Sequence, residues 1–258
     1  MMTSFSRIVA VGKGEHHIAY SDNSGAINSW VGIPKDQTFG STGQNLAYDI
    51  AYNSLQDKFI TVGRTGNNNK WACTSNDGIN WTSTGGNKLK WGRGIATNGE
   101  RWVAVGKPNN KNFSIVYSTD GVSWTGVVSN IFNDMGISVA VSGKTWVAIG
   151  RGSHNIAYSL NNAVTWNTSK TIIDPDFENT NTNNYCQNKP LDVATNGKRW
   201  IVVSNSDYPI LWSDDNGETW SYENIIKPVS LQNNITACHW DGKKFWIGGT
   251  GTKRLAFS

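Results

Sequence analysis

The 258-residue chain is short of charge and of aliphatic side chains. Asp, Glu, Lys and Arg make up 16% of it, against about 25% in ordinary globular domains. Only 38% of residues are apolar, and leucine is scarce among them. A core cannot then rest on leucine stripes along helices; it has to come from β-branched and aromatic residues, which fit a pleated sheet. No run approaches the roughly 18 apolar residues of a membrane-spanning helix, and residues 1–7 lack a basic-then-apolar leader pattern, so a soluble protein without membrane insertion is expected. Cysteine is equally thin. Cys73, Cys186 and Cys238 stand far apart with no CxxC pair, which points to neither a zinc site nor a disulfide framework. Cys73 and Cys238 fall in apolar strand patterns and read as buried thiols. His16, His17, His154 and His239 form no metal-ligand spacing, and no metal or cofactor is expected. The net charge of +4 is too mild and diffuse for a specific nucleic-acid partner.

What the chain has instead is tryptophan, in 13 copies, and 27 glycines, distributed as an internal repeat. Ser75-Asn-Asp-Gly-Ile-Asn-Trp81, Ser118-Thr-Asp-Gly-Val-Ser-Trp124 and Ser213-Asp-Asp-Asn-Gly-Glu-Thr-Trp220 align directly. A degenerate copy runs from Ser159 to Trp166 and a stretched one from Ser21 to Trp30, and the chain ends on a matching Leu255-Ala-Phe-Ser258. The serines at 21, 75, 118, 159, 213 and 258 set a period of about 47 residues, within the range of propeller blades. Each repeat reads as four short strands, clearest over residues 94–124: GIATNG, RWVAVGK, SIVYSTDG and a strand opening at Trp124. Asn-Gly, Asp-Gly and Ser-Gly pairs mark the turns. Trp102-Val-Ala-Val-Gly106 and Trp146-Val-Ala-Ile-Gly150 are apolar on both strand faces, as in a sheet packed between two others. The expectation is an all-β protein: one β-propeller domain over residues 1–258 with six blades of about four antiparallel strands. The first repeat begins near its second strand and the sixth stops after its third, so one terminal blade is incomplete or closed by the N-terminus.

The pattern S-x-D-x-G-x-T-W, met at every fixed position by residues 213–220, resembles the Asp-box (bacterial neuraminidase repeat) of sialidases and related propellers. Asp77, Asp120 and Asp215 are then turn residues accepting backbone N–H bonds, with Trp81, Trp124, Trp166 and Trp220 packing back onto the sheet. The resemblance implies that these turns join third and fourth strands on the face opposite any catalytic site. The W-V-A-V-G…Y-S-x-D-G-x-x-W form is also similar to short repeat proteins of large DNA viruses, phages and bacteria, which implies a propeller module; the lack of a leader or membrane-spanning pattern gives the expectation of a soluble protein, cytoplasmic or virion-associated.

For chemistry the chain offers little. A sialidase needs three arginines around a carboxylate with a Tyr/Glu pair; here there are seven arginines, and no Tyr and Glu are placed to pair on inner strands. Asp49 and Asp192 share one slot at the start of the inner strand in repeats two and five. They are the candidate carboxylates of a glycoside hydrolase, or caps for backbone N–H groups. After the second strand, four repeats place a cation in one slot, Lys13, Arg64, Lys107 and Arg151, with Ser204 in the fifth repeat and Gly248-Gly249 in the sixth. With Arg93, Asp49, Asp192 and the aromatic Trp91, Tyr48 and Tyr185 nearby, these cations outline a face for an acidic glycan or an acidic protein patch, with the aromatics available to stack on sugars. A non-catalytic binding module is the favoured function; a glycoside hydrolase is the alternative. The Asn/Thr-rich stretch 168–190 reads as a lid, recognition loop or linker.

Overall fold

The computed structural model describes residues 7–40, 45–65, 70–109, 113–127, 131–171, 190–205, 209–222, 235–250 and 255–257. Tyr185, Cys186, Arg254 and most of the 168–190 stretch lie outside these described residues. The chain forms two compact units, Met1–Gly126 and Val127–Ser258.

The first unit holds three antiparallel meanders. Strands β1 (Ile8–Val11), β2 (Ile18–Ser21) and β3 (Val31–Gly32) form the first sheet, followed by a 3-10 turn at Lys35–Gln37. The second meander is β4 (Leu46–Asn53), β5 (Lys58–Arg64), β6 (Ala72–Ser75) and β7 (Thr82–Thr84). The third is β8 (Leu89–Thr97), β9 (Trp102–Pro108), β10 (Ile115–Ser118) and β11 (Thr125–Gly126). A single pairing, Arg64 with Trp91, joins the second and third meanders at one end.

The second unit repeats the plan. Its first sheet is β12 (Met135–Ser142), β13 (Thr145–Arg151), β14 (Ile156–Ser159) and β15 (Asn167–Thr168). A short β16 (Lys170–Thr171) then crosses to run parallel to the outer strand of the next sheet. That sheet is β17 (Pro190–Thr195), β18 (Trp200–Ser204), β19 (Ile210–Ser213) and β20 (Thr219–Tyr222). Strands β21 (Ile235–Trp240), β22 (Phe245–Gly249) and β23 (Leu255–Phe257) complete the unit. The serines read as the repeat marker each end the third strand of their repeat: Ser21, Ser75, Ser118, Ser159 and Ser213.

Burial explains the composition. The second strand of each full sheet is enclosed on both faces: Trp102 to Val105 and Trp146 to Ile149 are wholly buried. With both sides apolar, these strands need no polar alternation, and tryptophan supplies the volume that leucine supplies elsewhere. Trp71, Trp102, Trp146 and Trp200 are the largest enclosed side chains. The glycine closing the second strand has a steric cause. A Cβ on Gly106 would lie 1.9 Å from the Trp91 carbonyl oxygen, and one on Gly63 2.2 Å from that of Leu46.

The tryptophans that open the fourth strands fill the gaps between neighbouring sheets. Trp81 joins a cluster with Ile18 and Ile33 of the first sheet and Cys73 of the second. Trp124 packs among Ile60, Val62 and Trp71 of the preceding sheet, edge-on to Trp71 with ring centroids 4.9 Å apart. Trp220 packs among Val147, Ile149 and Ile156. These rings and Trp166 are all less than a tenth exposed, as the repeat predicts. Replacing Trp124 by Ala should cost about 3–5 kcal/mol in denaturant unfolding, whereas Val122→Ala in the same turn, with a half-exposed side chain, should stay within about 0.5 kcal/mol. Equal small losses would show that the ring is not part of the core.

Candidate ligand-binding site

The turns joining third and fourth strands are built by a serine and an aspartate together. In the third sheet, Ser118 Oγ accepts the N–H of Asp120 (3.2 Å) and Gly121 (2.8 Å) and donates to Asp120 Oδ1 (2.8 Å). That same carboxylate oxygen accepts the N–H groups of Val122 and Ser123, both at 2.8 Å. Ser75 with Asp77, and Ser213 with Asp215, repeat the arrangement. Asn161 replaces the aspartate in the fourth sheet, accepting from Ser159 and from Thr165 N–H. Burial disfavours the Asp120 charge, but the N–H bonds from Val122 and Ser123 and the hydroxyls of Ser118 and Ser123 outweigh it and hold the carboxyl down at about 2. Asp77 and Asp215 are lowered likewise against the same opposing burial. A glycine with φ +74° at Gly121 lets the turn press on the second strand of the preceding sheet, where a Cβ would meet Ile60 Cδ1 at 2.3 Å; only glycine takes that backbone conformation there without strain.

At the opposite end of the sheets the inner strands carry a β-bulge at one recurring place. Register shifts between Ala47 and Asp49, Gly92 and Gly94, Gly136 and Ser138, Pro190 and Asp192, and Ile235 and Ala237. Each bulge turns the skipped side chain, Tyr48 or Arg93 for example, out of the ladder. Asp49 and Asp192 are the residues immediately after the bulge, the equivalence read from the sequence. Asp49 Oδ1 accepts its neighbour Ile50 N–H at 2.8 Å, and Oδ2 accepts Ile95 N–H of the next sheet at 2.8 Å. Asp192 does the same with Val193 (2.9 Å) and Cys238 (3.0 Å) and also accepts Ser138 Oγ–H of the preceding sheet (2.9 Å). Burial pushes the Asp192 carboxyl up; the N–H of Cys238, the Ser138 hydroxyl and the Val193 N–H pull the other way. Both aspartates therefore act as acceptors that tie one inner strand to the next, a wider role than capping their own strand.

Beside Asp49 the first unit gathers cations on aromatic rings. Across the sheets Lys107 pairs with Trp91, and Trp91 with Arg64. The Arg64 guanidinium lies over the Trp91 ring at 4.3 Å, with Lys90 Nζ at 5.7 Å from the same ring. The bulge residues of successive sheets meet in the same manner, Arg93 lying over Tyr48 at 4.2 Å. One face of each ring is therefore covered by a guanidinium. Cation–π contact also narrows the directions in which these guanidinium groups point.

The remaining predicted positions fall elsewhere. Lys13 follows β1 on an exposed bend, and the backbone of its neighbour Gly12 is bonded to Ala47. Arg151 and Asp192 belong to the second unit; Arg151 ends β13 opposite Met135. Register also corrects one alignment. Ser204 is equivalent to Gly106, both pairing one residue beyond the partner of the post-bulge residue, so Asn205 occupies the cation slot of the fifth repeat and Thr250 that of the sixth.

A second cationic position recurs at the residue heading the second strand, where the sequence already sets Arg101 and Arg199 at turns between first and second strands. Arg7 bonds Asp22 through two nitrogens (2.5 and 2.9 Å), lies over Tyr20 and donates to the Asp77 carbonyl in the next sheet's turn. Lys58 donates to the Asp120 carbonyl at 2.7 Å. Arg199 holds Asp214 through two nitrogens (2.7 and 2.6 Å) and lies over Trp212. The recurrence of Lys or Arg immediately before Ile8, Phe59, Trp102, Trp200 and Phe245 was the available signal.

No protein family's sequence profile matches the chain, and no curated protein matches it in sequence. Solved structures do match in fold. YCF48 from Cyanidioschyzon merolae superposes with a TM-score of 0.56 at 16% identity, over 85% of this chain and 73% of that one. YCF48 bound to D1 peptide gives 0.55 at 13% identity, over 83% and 63%. The GH74 enzyme of Niastella koreensis gives 0.59 at 18% identity, over 98% of this chain and 36% of the enzyme, so the chain spans about a third of that protein's length. These are β-propellers, and the chain is an all-β protein of that class.

One substitution checks the role assigned to the turn carboxylates. Asp120→Ala should lower stability by about 1–3 kcal/mol by leaving turn donors unpaired. Because its folded pKa lies below the unfolded value of about 3.9, that contribution is present above pH 4 and is lost as pH falls through about 2. The stability difference between wild type and variant should therefore vanish in an acid titration followed by thermal unfolding; a difference that persists unchanged at pH 2 would exclude the carboxylate as its source.

Proposed function

We propose that the chain is a non-catalytic binding module whose ligand is an acidic segment of a protein, held on the ridge formed by Arg64, Lys90, Trp91, Arg93 and Lys107. The observation that carries this reading is the pair of guanidinium–ring stacks, Arg64 on Trp91 and Arg93 on Tyr48. A guanidinium fixed against a ring loses little freedom on binding, and its planar fork matches a carboxylate bidentately. Lys90 and Lys107 add positive potential beside it. Among the neighbours in fold, one structure is of YCF48 with a bound peptide, which supports a protein ligand over a small substrate.

Asp49 and Asp192 are set aside as catalysts in this reading, because their oxygens already accept backbone N–H bonds within the sheets. A glycosidase acid needs an oxygen facing the scissile bond. The covered faces of Trp91 and Tyr48 likewise favour an acidic peptide over a neutral sugar.

Reversing two charges, Arg64→Glu with Arg93→Glu, should weaken binding of a poly-glutamate peptide at least tenfold without lowering the midpoint of unfolding by more than a few degrees. Lys144→Glu, an exposed cation in a turn of the second unit, should change binding less than twofold. Equal losses for both variants would mean non-specific attraction. Binding to an array of acidic glycans with no binding to acidic peptides would reassign the ligand class.

A further inference from the structure

Arginine heads the second strand in the first, third and fifth sheets, and the register sets each one opposite the residue that follows the marker serine. Ile8 pairs with Ser21, Trp102 with Ser118 and Trp200 with Ser213. One step further along the chain, Arg7 therefore stands opposite Asp22, Arg101 opposite Thr119 and Arg199 opposite Asp214. Each guanidinium lies on the aromatic ring two residues before that position. Arg7 is over Tyr20 at 5.1 Å, Arg101 over Tyr117 at 4.4 Å and Arg199 over Trp212 at 4.5 Å. Stacking of this kind fixes the plane of the guanidinium and the direction of its donors.

In the first and fifth sheets a carboxylate closes the fork. Arg7 donates from Nε and Nη2 to the two oxygens of Asp22, at 2.5 and 2.9 Å, and Arg199 does the same to Asp214, at 2.7 and 2.6 Å. The third sheet has the same stacked fork without its acceptor. Nε and Nη1 of Arg101 are enclosed and have no hydrogen-bond partner among the described residues. The residue in the place of the aspartate is Thr119, which carries a hydroxyl and no charge. Enclosed cationic donors without an acceptor are unfavourable. The other two sheets show where the acceptor comes from: the side chain directly opposite the arginine.

We infer that Thr119 is a phosphorylation site whose phosphate completes the fork of Arg101. Threonine Oγ1 is attached to Cβ as an aspartate Cγ is, so phosphate oxygens on it lie one bond beyond the carboxylate oxygens of Asp22 and Asp214. Such a group carries a charge of about −1.5 to −2 at pH 7 and pairs with arginine through charge-assisted hydrogen bonds. The reaction is a transfer from ATP by a protein kinase. Thr119 Oγ1 attacks the γ-phosphorus, the bond from that phosphorus to the departing ADP oxygen breaks, and the hydroxyl proton passes to the base of the kinase. Thr119 is exposed, as is the Asp22 side chain, at 54%. The adjacent Asp120 is no obstacle, because Asp214 pairs with Arg199 while standing beside Asp215. Phosphorylation thus makes conditional in the third sheet a latch that the first and fifth sheets have permanently. The site lies at the turn end of its sheet, opposite the end that carries the ridge, and does not depend on the function proposed there.

Phosphothreonine placed at position 119 of the full protein by expanded-code translation should raise the thermal midpoint by about 2–4 °C. Thr119→Asp should reproduce part of the gain, and the uncharged Thr119→Asn none of it. Arg101→Gln should remove the gain given by the phosphate, and Arg101→Lys, which keeps the charge without the fork, should retain less than half. In phosphorus NMR the second pKa of the phosphate should lie below its usual value of about 6 and return to it in the Arg101→Gln protein. A panel of serine/threonine kinases with ATP should modify the folded protein at Thr119, read by mass spectrometry of its peptides. A phosphate that leaves the midpoint unchanged, or that titrates alike with and without Arg101, would overturn the pairing. Modification of Thr119 only in unfolded protein, or by no kinase of the panel, would overturn the site.

Discussion

The interaction on which most of this structure depends is the seating of one sheet's turn tryptophan in the gap before the preceding sheet. A four-stranded meander of this size has two apolar faces and cannot cover either alone. Trp81, Trp124 and Trp220 each cover one such face from the next repeat, and the Ser–Asp turn holds the ring where it has to be. Without the hydrogen bonds of Ser118 and Asp120 the turn donors would have no fixed partner, and Gly121 could not be pressed against Ile60. Arg7 and Lys58, which head second strands, add a polar latch to the same contact by donating to the Asp77 and Asp120 carbonyls. A weak aliphatic content is tolerable because each contact is made by one large ring in a fitted place.

The opposite ends of the sheets are organised by a different device. There the β-bulge fixes the chemistry. At Gly63 and Gly106 the bulge carbonyl occupies the space of a side chain, which favours glycine at the end of those second strands. The bulge also sends Tyr48 and Arg93 toward one another and leaves the following residue, Asp49 or Asp192, facing the N–H of the next inner strand. Carboxylates bonded within the scaffold and cations stacked on aromatic rings are thus adjacent in sequence.

Much of this was legible in the sequence, for physical reasons. The turn motif is local: serine, aspartate, glycine and tryptophan act within eight residues, so Asp77, Asp120 and Asp215 could be assigned to turns and Trp81, Trp124 and Trp220 to the core directly. The equivalence of Asp49 and Asp192 survived because both follow the same bulge. What the sequence could not show depends on contacts between repeats. That Asp49 reaches Ile95 and Asp192 reaches Cys238 needs the stagger of adjacent inner strands. That Arg64 covers Trp91 needs the pairing of β5 with β8. The misplacement of Ser204 arose because the fifth repeat has serine where the others have glycine, which removes the marker by which the slot is counted.

The central claim, that the Ser–Asp turns are the fastening between successive sheets, predicts a specific pattern of backbone protection. The N–H groups of Gly78, Gly121 and Gly217 are buried donors to serine hydroxyls, although they sit in surface turns where amides ordinarily exchange freely. Native-state hydrogen exchange should find these three amides opening only with the free energy of unfolding their sheets, as slowly as those of β5, β9 and β13. Exchange at the rate of unprotected loop amides, with the strands still protected, would show that the turns merely decorate sheets held together by something else.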